Sequence, residues 1–325
     1  MFGKNDAVVI ESKLGSGGIG AAYKAWHTGL NKYVVVKELK HSAANDASVR
    51  RNEVEALKNV KNAHLPQVID YFTDNDCSYT VMEFVEGESF DKLLAPGRGF
   101  SPSQVVKWYG QLASALEAIH SQGVCHRDIK PSNVMLAPGG DVCLIDFNAA
   151  LVRGAGARLI SRSPGYASPE QDELFRRCAA GDFRCDCGPC GGDTATVLLE
   201  AESITEWLPA QAGSDAPLPS AHAPLPSTHA PLPSMYSSLP YSPLPYPPQN
   251  YIDWKLSDIY CLGATMCHLL TGKRPRERAF GMAPVLENAR CDSGLAGVIE
   301  RSMRIDPAER YDSATSLSRA IRRLN

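Results

Sequence analysis

Between Pro209 and Pro248 the chain carries 12 of its 23 prolines, in a stretch with almost no charge and few aliphatic residues other than leucine. The tract is also a repeat. Ala216-Pro217-Leu218-Pro219-Ser220 recurs at Ala223 to Ser227 and at Ala230 to Ser234, then decays into Ser-Leu-Pro and Tyr-Pro variants up to Pro248. Such a segment populates extended polyproline conformations and cannot supply a packed core. Residues 172–251 therefore read as an insertion, and a fold must be assembled from the chain on either side of it.

Enough chain remains for that. The full sequence has 325 residues, 44% of them apolar and 21% charged, a soluble globular composition that needs no disulfide or metal support. Lys+Arg 33 against Asp+Glu 36 leaves a net charge of -3, which argues against a dedicated nucleic-acid or anionic-membrane surface. No apolar run reaches the roughly 20 residues that span a bilayer, and the residues after Met1 lack an export pattern. The ten cysteines then read as reduced thiols or metal ligands rather than a disulfide framework, and the expected compartment is the cytoplasm.

The front of the chain predicts strands at 7–14, 21–26 and 33–39, separated by Gly, Asn and His-Thr turn signals. A helix follows over 48–60, where Val49, Val54, Leu57 and Val60 recur at helical spacing, and strands are expected at 68–73 and 79–84. After Gly99 the pattern turns helical: Ser101-Pro102-Ser103-Gln104 is a start signal for an amphipathic run from Val105 to His120. Beyond Ser257, helices are expected at 259–270, 294–303 and 313–324. Cys125, Cys143, Cys261 and Cys267 lie within apolar runs and are expected to be buried. A β-rich front and a helical back imply an α+β protein of two lobes.

Gly15-Ser16-Gly17-Gly18-Ile19-Gly20 is a Gly-x-Gly-x-x-Gly run, weak evidence by itself because dinucleotide folds share it. Here it sits between two expected strands and precedes Val34-Val35-Val36-Lys37, which suits a flap over nucleotide phosphates rather than a helix start. His126-Arg127-Asp128-Ile129-Lys130-Pro131-Ser132-Asn133 follows, then Asp146-Phe147-Asn148 and Ser168-Pro169-Glu170. This ordered set resembles the eukaryotic-like protein serine/threonine kinases, as found among small bacterial kinases. The resemblance covers residues 7–171 and 252–325. It implies a kinase N-lobe at 1–85, the first part of a C-lobe at 86–171, the insertion at 172–251, and the rest of the C-lobe at 252–325.

Each motif residue has a chemical reason. A hydroxyl attacking the γ-phosphate of ATP needs a carboxylate to orient it and take its proton, the place of Asp128. Lys130 can neutralise charge on the transferred group, while Asn133 and Asp146 supply oxygens to magnesium, with manganese as a substitute. Lys37 would hold the α- and β-phosphates, positioned by an acidic partner from the helix: Glu53, with Glu55 the alternative. The resemblance implies a nucleotide site lined by Leu14, Gly15, Ser16, Gly17, Gly18, Ile19, Gly20, Ala22, Val35 and Lys37. It also implies a hinge at Met82 to Val85, where Glu83 and Val85 face adenine, with Met135 under the ring. Asp258 is expected to tie down the catalytic loop and Arg310 to pair with Glu170. Arg127 would meet a phosphorylated activation segment, and Ser161 and Ser163 are that segment's candidates. Ser163 matches the hydroxyl kept near the catalytic base, which leaves Ser161 as the expected phosphosite.

Some positions depart from the family pattern. Asn148 stands where a glycine is usual, a place it tolerates because asparagine accepts left-handed backbone angles. Ala22, Arg162 and Ser168 also differ, but no charged catalytic group is lost. The expected function is transfer of phosphate from Mg-ATP to Ser/Thr hydroxyls of proteins, the chain itself included. The alternatives are a catalytically weak ATP-binding pseudokinase scaffold and a small-molecule phosphotransferase. In the insertion, Cys178, Cys185, Cys187 and Cys190 invite a zinc reading, but only Cys187-x-x-Cys190 has a favoured interval, so unliganded thiols are the expectation and zinc the alternative. Residues 197–208 are expected to form a short helix. The proline repeat reads as a spacer, with docking of a partner as the alternative.

Overall fold

The computed structural model describes residues 8–17, 20–40, 54–74, 77–147, 151–152, 159–179, 197–200, 252–275 and 293–324. The chain divides into two compact units, one of residues 1–208 with 252–325 and the other of residues 209–251. The proline repeat lies outside the described residues, so every feature below belongs to the first unit.

The front forms one antiparallel sheet in the order β1-β2-β3-β5-β4, from β1 (Val8–Gly17), β2 (Gly20–His27), β3 (Lys32–Lys40), β4 (Val68–Asp74) and β5 (Cys77–Glu83). Valine-rich β3 shows why. Alternate residues of a strand face opposite sides, so Val34 and Val36 turn inward to pack with Val8, Ala25, Tyr79 and Val81 in a small core. The other face is left to Ala22, Val35, Lys37, Thr80 and Met82, because Ala22 and Thr80 lie opposite Lys37 and Met82 lies opposite Val35. Gly20 is required where β2 meets β3, since a Cβ there would strike the Glu38 carbonyl. Residues 54–58 are helical, and Val54 and Leu57 join the main core.

The back is helical, with short strands carrying the loops. Its elements are β6 (Glu88–Ser89), α1 (Phe90–Leu93), α2 (Pro102–Ser121), β7 (Val124–Cys125), β8 (Val134–Leu136), β9 (Val142–Leu144), β10 (Leu151–Val152), β11 (Leu159–Arg162), α3 (Pro169–Ala179), β12 (Val197–Glu200), α4 (Trp254–Thr271), α5 (Ser293–Ser302) and α6 (Ala314–Ile321). Helix α2 starts where its signal predicts: Ser101 and Gln104 form a reciprocal capping box, with Pro102 at the first turn. Its buried face, from Val105 to Ile119, packs with α4, α5 and α6 into the main core. Helix α4 starts on the Asp253 cap and stops at Gly272, whose φ of 65° suits glycine. Cys125, Cys143, Cys261 and Cys267 are all buried.

One sequence expectation changes. Residues 197–200 are a strand rather than the start of a helix, because their backbone pairs in parallel with β11, a partner invisible in local sequence. Helix α3 also runs through Asp172 to Ala179 without a break. Among the described residues no helix is long and apolar enough to cross a membrane.

Candidate active site

The loop after β7 is held from beneath by one buried carboxylate. Asp258, on the first turns of α4, accepts the backbone N–H of His126 on Oδ2 (2.8 Å) and that of Arg127 on Oδ1 (2.7 Å), and Oδ2 also meets His120 Nε2 at 2.9 Å. A carboxylate at 0% exposure is tolerable only when so satisfied. This is the tie that the family resemblance implies. The loop needs it, since Arg127 holds a left-handed φ of 68°. Gln171 donates to the Arg127 carbonyl and Thr265 to that of Ile129. The Arg127 guanidinium lies over the Trp254 ring, 4.1 Å from its centre.

The same loop brings four sequence-predicted residues together. Asp128 Oδ1 accepts a hydrogen bond from the Ser163 hydroxyl at 2.5 Å, while Oδ2 lies 3.1 Å from Lys130 Nζ and 3.1 Å from Asn133 Nδ2. Lys130 also donates to Ser163 Oγ at 3.0 Å. The Asn133 amide nitrogen bonds the Asp128 carbonyl as well, at 2.7 Å. Both its partners are acceptors, so its NH2 group faces Asp128 and its amide oxygen is the ligand atom it offers.

Lys37 bridges the lobes. Its ammonium sits 2.7 Å from Asp146 Oδ1, which shows that the Ala22, Val35 and Lys37 face of the sheet turns toward the loop. Burial would raise the Asp146 carboxyl, but the Lys37 charge and hydrogen bond outweigh it and hold the group below its ordinary value. Asp146 also has a left-handed φ of 69°. The buried His126 ring packs against Phe147, its centre 4.9 Å away, and burial pushes its pKa down. Its Nδ1 accepts from the Asp128 N–H, so the ring proton sits on Nε2, facing the Ile145 carbonyl.

Around these groups the other candidates take recognisable places. Gly15 pairs with Ala22 and Gly17 with Gly20, so the glycine run closes a β-hairpin and opens no helix. Leu14 is half-buried in β1, Ser16 is exposed, and Gly18 and Ile19 lie outside the described residues. Ala22 is buried and Val35 half-buried, and Met135 lies in β8 opposite Cys143. Glu83 ends β5. Its N–H is bound to the Gln67 carbonyl (3.0 Å), and its carboxylate accepts Lys32 Nζ (2.9 Å) and the Gln67 N–H (3.2 Å). Burial opposes that carboxylate's charge, but these bonds lower its pKa overall. Val85 follows in the connecting loop.

Of the acidic candidates for Lys37, Glu53 lies outside the described residues, and Glu55 is bonded to Lys58 at 3.1 Å. Asn148 also lies outside them, as do Cys185, Cys187 and Cys190, while Cys178 falls on the α3 backbone. Arg310 forms a two-pronged ion pair with Glu170, at 2.7 and 2.8 Å. Sequence reasoning passed over His120, Gln171 and Trp254. The signal for His120 was a polar side chain on the otherwise apolar face of α2, where burial demands a partner.

Residues 8–174 match the protein kinase domain family. The chain belongs to that family. Asp258 and Arg310, which lie beyond the matched residues, contact the backbone of His126 and Arg127 and the carboxylate of Glu170 within them. Among curated relatives, serine/threonine-protein kinase pkn2 of Myxococcus xanthus is 34% identical over 66% of this chain and 28% of its own length. A probable serine/threonine-protein kinase, CA_C1728 of Clostridium acetobutylicum, is 32% identical over 50% of this chain and 26% of its own. The kinase PknD of Mycobacterium tuberculosis is 28% identical over 64% of this chain and 32% of its own. The chain thus spans about a quarter to a third of the length of these relatives.

Proposed function

We propose that this chain is a protein serine/threonine kinase that moves the γ-phosphoryl group of ATP to serine and threonine hydroxyls of proteins, its own included. The observation that carries the reading is the Asp128 carboxylate, which already accepts a serine hydroxyl, from Ser163, at 2.5 Å. A substrate hydroxyl in that position would attack the γ-phosphorus as the bond to the β-phosphate oxygen breaks. Its proton would pass to Asp128, and ADP would leave. Lys130, 3.1 Å from the same carboxylate, is placed to offset charge on the moving group.

Lys37 would exchange part of its pairing with Asp146 for the α- and β-phosphates, and Glu53 is the acidic group assigned to position it. The Glu83 N–H is spent on Gln67, so the hinge would meet adenine through the Glu83 carbonyl and the backbone of Val85. Leu14, Gly15, Ser16, Gly17, Gly18, Ile19, Gly20, Ala22, Val35 and Met135 would enclose the nucleotide. Asp146 and the free amide oxygen of Asn133 fit a divalent cation, magnesium with manganese as a substitute. When bound, that ion neutralises phosphate charge.

Residues 172–251 are read as an insertion carrying the spacer, with partner docking and a zinc site among its cysteines as secondary roles. Cys77, Cys125, Cys143, Cys261 and Cys267 are free thiols, which suits a reducing cytoplasm. Labelled ATP and magnesium, supplied to the full chain beside Asp128→Asn, test the central reading. Label on Ser or Thr that disappears in the variant is expected. Tight ATP binding without any transfer to the chain or to generic protein acceptors would overturn it in favour of a nucleotide-binding scaffold.

A further inference from the structure

Strand β11 ends at Arg162, and the next residue, Ser163, is the one whose hydroxyl reaches Asp128 and Lys130. The backbone course of β11 therefore decides where that hydroxyl arrives. Its backbone partner comes from beyond the family match. Strand β12 lies parallel to it, with Leu159 opposite Val197, Ile160 opposite Leu198, Ser161 opposite Leu199 and Arg162 opposite Glu200. Among the described strands these two form a sheet by themselves.

A two-stranded ribbon is marginal alone, and parallel strands need a crossover connection, usually a helix. The chain supplies both remedies. Helix α3 lies between β11 and β12 in sequence and packs against each of them. Arg162 fastens β11 to that helix: its Nε bonds Asp172 Oδ1 at 2.8 Å, and its guanidinium lies 5.5 Å from the centre of the Phe175 ring. The arginine that departs from the family pattern is thus the side chain that clamps this strand, at 8% exposure.

We propose that Val197–Glu200 is a positioning strand for phosphoryl transfer. The region read as an insertion supplies, from the same chain, the backbone ladder that holds residues 159–162 and so keeps the Ser163, Lys130 and Asp128 cluster in register. The inference rests on the kinase reading above. It assigns the course of this segment to hydrogen bonds with a strand in cis, and it makes residues 172–179 and 197–200 a working part of the catalytic domain.

The test compares the full chain with L198P/L199P. Alternate residues of a parallel strand turn their backbone groups toward the partner, so one of the two prolines removes a ladder donor. The expected result is faster hydrogen exchange at residues 159–162 with α2 and α4 unchanged. With it, kcat falls on the order of 10- to 100-fold, the scale of a small displacement of reacting groups, while KM for ATP stays within about twofold. The conservative pair L198V/L199V should retain both protection and rate. Should the prolines disturb the whole domain, L198G/L199G weakens the strand without removing a donor and carries the same two readouts. Equal exchange at 159–162 in parent and variant overturns the pairing, and faster exchange with unchanged kcat overturns its role. A parent chain that transfers no phosphate overturns the kinase reading, and exchange still judges the pairing independently.

Discussion

Arg310 and Glu170 meet as a buried two-pronged ion pair, at 2.7 and 2.8 Å, although all of residues 172–251 lie between them in the chain. The guanidinium also donates to the carbonyls of Arg304, Leu256 and Ile305. One side chain therefore joins the end of the catalytic segment, the start of α4 and the approach to α6. A buried pair adds little net stability compared with a packed apolar replacement, but losing one partner strands the other charge.

Arg310→Met should therefore lower unfolding stability by about 3–5 kcal/mol, and the double variant Arg310→Met/Glu170→Leu should recover part of that loss. Urea unfolding of the two variants measures both. A double variant no more stable than the single one would mean that the three carbonyl bonds, rather than the ion pair, hold this junction.

Asp258 uses both carboxylate oxygens on backbone donors, and an amide keeps only one acceptor. Asp258→Asn should cost about 1–3 kcal/mol of stability. It should also lower kcat more than it raises KM for ATP, because Arg127 φ and the Asp128 backbone are displaced while the nucleotide-facing sheet is untouched. Steady-state kinetics beside thermal unfolding separates the two effects.

Loss of Asp128 should slow transfer and leave binding intact. For Asp128→Asn a rate drop of about 10²- to 10⁴-fold is expected, the usual share of general-base catalysis, with nucleotide affinity little changed. Equilibrium binding of ATP beside single-turnover transfer checks the split.

Lys37 is what lowers the Asp146 pKa, against the opposing effect of burial. In Lys37→Met the lowering influence is removed, burial is left to raise the pKa, and the Asp146 carboxyl should titrate above its present position. A carboxyl depressed in the folded state stabilises at pH above its unfolded pKa of 3.8 and loses that contribution as pH falls through the folded value. The variant should thus lose acid stability earlier, at higher pH, than the parent. Unfolding midpoints across the acid range record the shift.

His268 gives a pH dependence of a different origin. Burial, with help from Arg274, lowers its pKa from 6.5 to about 4, and its Nδ1 faces the Tyr166 hydroxyl at 2.6 Å. The unfolded chain takes up this proton first, so stability should fall as pH drops from 6.5 toward 4 and level off below. His268→Gln should flatten that part of the stability profile, measured by denaturant unfolding at stepped pH.

Much of the site was legible because its chemistry is local. Asp128, Lys130 and Asn133 lie within six positions of one loop, so a short motif carries all three. The strands and α2 were legible for a similar reason, since side-chain period and caps act over a few residues. Strand β12 was not. Val197-Leu198-Leu199-Glu200 is a short apolar run whose periodicity does not separate helix from strand, and the deciding partner lies far away in sequence.

By itself, then, the sequence determined the strands of the front sheet, the main helices of the back and the family, because periodicity, capping and motif spacing are short-range properties. Only the tertiary structure decided which charges are neutralised by which. It put Lys37 on Asp146, the Ser163 hydroxyl on Asp128, the Arg127 guanidinium over Trp254, and Arg162 between a strand and a helix. Those choices follow from burial: once packing removes water from a polar group, its partner is set by whichever donor or acceptor the fold brings within about 3 Å.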